Sequence, residues 1–265
     1  MIDANSVPAK RTPFTVQPIP VQRVLDRLDV LLSQRDYVNA EQQLLFWLSE
    51  AKNGNDLSGQ LTLSNELIGY YRKQGNESEA LRYVDDAVNL IQTMNLEGSI
   101  TAGTSFINAA TAYNAFGQLE KSREFFEKAS IIYESSPAVT PFQMGGLYNN
   151  MGLNCAALGL YEEAMELYQR ALNQMERVTN GSLEQAVTLL NMADAVAAKE
   201  GTLAGENQIG KLIQSAYAHI RDESVLHDSY YAFVCEKCIP SFSYYGFFAI
   251  ASELQEEVRR IHEGA

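Results

Sequence analysis

Apolar residues along this chain fall three and four apart, in runs too long for strands. From Tyr148 they recur at Met151, Cys155 and Leu158, and after Gly159 at Tyr161, Ala164, Met165, Tyr168, Ala171 and Leu172. That spacing puts each run on one face of a helix with polar residues opposite. Gly159 between them predicts the end of the first helix, because glycine takes the left-handed conformation of a helix C-terminus at little steric cost. Neither helix can bury its apolar face alone, so the pair requires neighbours.

The pair is repeated. Segments starting at Leu61, Gly103 and Gly145 overlay with a shift of 42 residues. Their seventh and eighth places hold Leu67-Ile68, Ala109-Ala110 and Met151-Gly152, and Tyr71, Tyr113 and Cys155 follow. Gly75, Gly117 and Gly159 close the first half, and the second half carries Ala80 with Ala87, Ser122 with Ala129, and Ala164 with Ala171. A fixed period of this size predicts stacked helical units. A less regular copy covers 21–54, with Arg35 at the glycine place and Trp47 at the second small place. Downstream, Leu190, Ala193, Ala197 and Gly201 keep the register, the second helix slips after Gly205, and Tyr230 to Ile261 reads as a last pair. Its closing helix sets Phe247, Ile250, Leu254, Val258 and Ile261 against a charged outer face. Thr140-Pro141-x-Gln143 spells an N-cap, a first-turn proline and a capping-box glutamine.

The run Tyr148-x-x-Met151-Gly152-x-x-Cys155, Gly159-x-Tyr161-x-x-Ala164, Tyr168-x-x-Ala171 resembles a tetratricopeptide repeat. Its 42-residue spacing is similar to the long-repeat variety of kinesin light chains and of bacterial regulators. The resemblance implies an all-α, right-handed superhelical solenoid of five to six helical pairs over 21–265. The segment 1–20 has four prolines and no helical period, and is expected to be a flexible arm.

The resemblance also implies a concave groove lined by the fifth, ninth and twelfth places of each first helix. Asn65, Ile107, Asn149 and Asn191 stand at the fifth place, Asn108 and Asn150 at the sixth, and Arg72 and Lys73 at the twelfth and thirteenth. Asparagine is a poor helix-interior residue, so its recurrence asks for a reason. Its amide donates and accepts together, which suits the main chain of an extended peptide; the alternative is that these amides bond between helices and hold the stacking. The candidate peptide-binding residues are therefore Asn65, Arg72, Lys73, Asn149, Asn150 and Asn191. Phe14-Thr15-Val16-Gln17-Pro18 is a candidate occupant from the same chain.

Composition removes other classes. A formal net charge of −13 opposes phosphate binding, so no nucleic acid partner is expected. No stretch reaches the roughly 18 apolar residues of a membrane span, and three cysteines suit a reducing compartment, so a cytoplasmic location is expected. Gly205-x-x-x-x-Gly210-Lys211 has phosphate-loop spacing, but Leu212 stands where that loop needs Ser or Thr. Cys235-x-x-Cys238 lacks a ligand set for zinc and is expected to pack in the core. Phe242, Tyr244, Tyr245, Phe247 and Phe248 form an aromatic cluster, either core or docking patch. Paired acids such as Asp85-Asp86 and Glu162-Glu163 fall on polar faces. No catalytic residue, metal or cofactor is expected. The function implied is a non-catalytic protein- or peptide-binding scaffold or regulatory adaptor. The alternative is a self-associating subunit, a possible homo-dimer, joined through the arm or the aromatic tail.

Overall fold

The computed structural model describes residues 16–264. Among them are twelve α-helices and no strand. Described residues up to Glu97 form one compact unit and those from Gly98 another. Among the described residues no helix is long and apolar enough to cross a membrane.

The first unit holds two helical pairs: α1 (Val21–Ser33) with α2 (Tyr37–Asn53), and α3 (Leu57–Lys73) with α4 (Glu77–Thr93). Each helix packs on the next. Val24, Leu28 and Leu31 of α1, Ala40, Leu44 and Leu48 of α2, Leu67 and Ile68 of α3, and Ala80, Tyr83 and Ala87 of α4 fill the interior. The turns repeat one construction. Arg35, Asn55, Gly75 and Asn95 take positive φ, and the residue after each donates its N–H back to Leu31, Ala51, Tyr71 and Ile91 respectively. This closure satisfies carbonyls that the helix end leaves free. Asp36, Asp56 and Asn76 then accept a backbone N–H from the first turn of α2, α3 and α4.

Residues 16–20 also belong to this unit. The Gln17 N–H donates to the Gly54 carbonyl at 2.9 Å and the Ile19 N–H to Asp56 Oδ2 at 3.0 Å. Asp56 Oδ1 meanwhile accepts from Gly59 N–H at 2.9 Å, so one buried carboxylate caps α3 and ties down the leading segment. The approach demands glycine at 54, where a Cβ would stand 2.5 Å from the Gln17 carbonyl oxygen. Gln17 thus lies on the α2–α3 turn; Phe14 and Thr15 fall outside the described residues.

The second unit holds four pairs: α5 (Ile100–Ala115) with α6 (Leu119–Ser135), α7 (Pro141–Ala157) with α8 (Tyr161–Met175), α9 (Ser182–Glu200) with α10 (Glu206–Ile220), and α11 (Ser229–Tyr244) with α12 (Phe248–Glu263). Thr140 and Gln143 form the expected capping box at α7. The small places allow close crossings. A Cβ on Gly103 would lie 2.7 Å from the Tyr133 ring, one on Gly145 2.6 Å from Met175, and one on Gly152 2.5 Å from the Tyr168 ring. Ser122, Ala129, Ala164 and Ala171 are completely buried. One contiguous apolar cluster runs from Tyr148 in α7 to Val258 in α12.

Candidate functional site

In the second unit the first helices of successive pairs touch one another, α5 with α7, α7 with α9, and α9 with α11. They form a layer of their own, and α7, α9 and α11 enclose a recess of about 380 Å³. Asn149 and Asn150 line it from α7, Glu184 and Asn191 from α9, and Val234 and Lys237 from α11. The fifth places of two repeats meet here, because identical positions on stacked units fall in line. An Asn191 side-chain N–H donates to Asn149 Oδ1 at 2.9 Å.

That bond answers part of the question the sequence left open, since these amides do link neighbouring helices. It uses only half of each. The Asn149 NH₂, the Asn191 carbonyl and the whole Asn150 amide make no hydrogen bond among the described residues. The pair is half-buried, and each amide keeps hydrogen-bonding capacity at the recess. The rim adds one charge of each sign. Glu184 accepts from the Tyr230 hydroxyl, whose pKa is pushed up first by burial and then by that carboxylate. The Lys237 ammonium lies 3.9 Å from the centroid of the half-exposed Phe233 ring.

The remaining three predicted residues sit on α3, in the first unit. Asn65 donates from Nδ2 to the Leu61 carbonyl at 3.0 Å, a bond within its own helix. Arg72, in the last turn, has its Nε buried with no hydrogen-bond partner among the described residues. Burial holds its guanidinium below the usual arginine value. Lys73 is exposed. The structure therefore brings Asn149, Asn150 and Asn191 together and carries Asn65, Arg72 and Lys73 on a different unit.

The other sequence signals fall as follows. Gly205 precedes α10 and Gly210-Lys211 lie within that helix, so this stretch has no loop to wrap phosphate. Cys155, Cys235 and Cys238 are free and buried, and burial pushes their thiols up to about 11, 11 and 12. At such values they stay protonated and pack as small apolar groups. Among the described residues no group of three or more His, Cys, Asp or Glu gathers in a geometry that could hold a metal ion. The aromatic cluster divides: Phe242 is fully buried, Phe248 is exposed, and Tyr244, Tyr245 and Phe247 line a cleft of about 950 Å³ together with Leu203. Glu162 pairs with Lys199 at 2.7 Å and Glu163 with Arg123 at 3.1 Å, so these acids bridge surface helices.

Two structural groups escape the repeat alignment. Asn154 is buried in α7 and donates to both Asn114 Oδ1 and the Leu119 carbonyl at 3.0 Å. At the far end Arg221 meets Glu253 and Glu257, and Tyr231 donates to Glu257. Neither shows in the 42-residue register, because each joins places that do not repeat. The signal for Asp56 was present: Asp36, Asp56 and Asn76 stand 20 residues apart.

The layered helical pairs with a polar recess on the first-helix side define a helical-repeat protein. Residues 143–201 match the sequence model described as Tetratricopeptide repeat. Among solved structures, BtubC (BKLC) from P. vanneervenii superposes with a TM-score of 0.64 at 17% identity, over 75% of this chain and 80% of that one. A protein described as a kinesin light chain of nearly identical TPR-like repeats, from Podosopora anserina, gives 0.53 at 19% identity, over 77% of this chain and 95% of that one. No curated protein matches the sequence. Residues 143–201 thus carry a tetratricopeptide-repeat pattern, and the chain shares the helical-repeat fold of these structures.

Proposed function

We propose that this chain is a non-catalytic binding scaffold or adaptor, and that an extended peptide lies along the first-helix layer of its second unit. The observation that carries this reading is the amide pair Asn149–Asn191, with Asn150 beside it, lining an open recess with donor and acceptor capacity to spare. Each amide hydrogen bond contributes only ~0.5–1.5 kcal/mol net. Affinity must then come from several contacts, and the apolar wall of Val187, Leu190 and Val234 provides burial beside them. Three free thiols suit action in the reducing cytoplasm.

The test is selection of short random peptides on the full-length protein, followed by binding to the Asn149→Ala/Asn191→Ala double variant. Removing both partners of one hydrogen bond leaves neither unsatisfied, so stability should hardly change. Lost peptide binding at an unchanged melting temperature supports the recess. A large drop in melting temperature assigns the pair to stacking, and unchanged binding places the peptide elsewhere. The second reading, self-association, draws on exposed Tyr244 and Phe248. Light scattering on the same protein tests it, and a monomer at all concentrations rejects it.

A further inference from the structure

The face of α2 turned away from the core of the first unit is apolar. Val38, Leu45 and Phe46 stand opposite buried Ala40, Leu44 and Leu48 on the helix, and they are 66%, 38% and 57% exposed. Beside them is Trp47, the single tryptophan of the chain, half-buried and with its ring centroid 5.2 Å from that of Phe46. Exposed apolar residues scattered singly are ordinary, but a stripe along one helix marks a contact. Two acids flank it. Glu41 lies one turn from both Val38 and Leu45 and accepts the Tyr71 hydroxyl, and exposed Glu50 lies one turn from Phe46. Neither acid is in an ion pair among the described residues.

The chain has a segment tethered at the end of this stripe. The described residues begin at Val16, and the Gln17 N–H bonds to the carbonyl of Gly54, the residue that closes α2. The 15 residues before Val16 contain Phe14, and they hold Lys10 and Arg11 against a single acid, Asp3, in a chain of net charge −13. We propose that this segment runs back along the exposed face of α2 and covers it, with Phe14 on Phe46 and Arg11 at Glu41. Pro8 and Pro13 favour an extended chain that advances about 3.1 Å per residue, while a helix advances about 1.5 Å. Phe14 then stands about 9 Å from Gln17, and Phe46 about 12 Å from Gly54. Arg11 reaches about 19 Å along the same path, against about 20 Å for Glu41. Opposite charge thus falls where the aromatic pairing puts it, and the segment serves as an apolar cover with a basic end. This places Phe14 against a second helix and not in the groove of first helices, and it is independent of the peptide-binding reading.

Trp47 supplies the test, because its ring adjoins Phe46 and no other tryptophan contributes. In the full-length protein, Phe14→Ala should raise acrylamide quenching of Trp47 about twofold, since an aromatic ring laid on Phe46 screens the indole beside it. Phe46→Ser removes the landing place, so in that background Phe14→Ala should change nothing. Arg11→Glu should raise quenching by less than Phe14→Ala, and that increment should shrink at high salt. The parent's quenching should not depend on protein concentration. Parent-like quenching in Phe14→Ala, or an undiminished Phe14→Ala effect in the Phe46→Ser background, overturns the assignment. Quenching that falls as protein concentration rises gives the cover to a second copy and overturns it as well.

Discussion

The two units build similar helical pairs by different means. In the first, every turn is alike: left-handed residues stand 20 apart at Arg35, Asn55, Gly75 and Asn95, and polar caps follow at Asp36, Asp56 and Asn76. In the second, turns within a pair keep the glycine, but the residues opening α6, α8 and α12 are Gln118, Leu160 and Phe247, whose side chains cap nothing. Connections between pairs are longer, and polar caps move to Ser99, Thr140 and Asp228 at the first helices. The second helices there are held instead by close crossings, Gly103 on Tyr133, Gly145 on Met175 and Gly152 on Tyr168. Both units bury helix faces, but only the first caps its second helices with polar side chains, and the second adds the glycine crossings.

The largest expected effect tests the faces. Gly152→Val should destabilise the second unit by about 3 kcal/mol, because the new side chain enters the fully buried Tyr168 ring. Gly69→Val, in open space on α3, should stay within about 0.5 kcal/mol. Hydrogen exchange followed helix by helix separates the two units. Equal losses would show that the crossings are not what distinguishes them.

That contrast also explains what the sequence made legible. The 42-residue register captured Gly103, Gly145, Gly152, Ala164 and Gly159 because each close crossing and each within-pair turn demands a small residue, and small residues are visible in sequence. The upstream copy looked irregular because its step from Arg35 to Gly75 is 40, and a left-handed arginine does the work of glycine there. The recess was half legible. Recurrence at the fifth place pointed to Asn149 and Asn191, but their bond to each other depends on how the helices stack. The docking of residues 16–20 was not legible at all, since it depends on Gly54 and Asp56 approaching a stretch with no helical period. Pro240 inside α11 likewise gave no sequence signal of a continuous helix.

A middle-sized effect tests the ends. Asp56→Ala removes an N-cap, worth about 1 kcal/mol, and also orphans the Ile19 N–H, so a total loss of about 2 kcal/mol is expected in the first unit. Exchange protection at Ile19 and Gly59 should fall together. Leu160→Ala at the opening of α8 removes no cap and should have the smaller effect. If Asp56→Ala left Ile19 protected, the carboxylate would not be what fastens the leading segment.

The smallest effect concerns charge buried in the first unit. The Glu66 carboxyl is raised above its ordinary value by burial and by Asp29, with Lys73 only partly offsetting them. A folded state that holds the proton more tightly than the unfolded one gains stability at low pH. That contribution is fully present below the unfolded glutamate value, about 4.3, and is lost as pH rises through the raised folded value. Glu66→Gln, always neutral, should therefore melt slightly above the parent near pH 7, and the difference should shrink toward pH 4. The second unit has a raised carboxyl of its own in Asp194, but there the Tyr245 hydroxyl donates to it at 2.7 Å and favours the ionised form. Asp194→Asn should consequently gain less at pH 7 than Glu66→Gln, because it also alters an accepted hydrogen bond. Melting curves of both variants across that pH range decide the matter, and a Glu66→Gln advantage that grew toward acid pH would reverse the sign of the assignment.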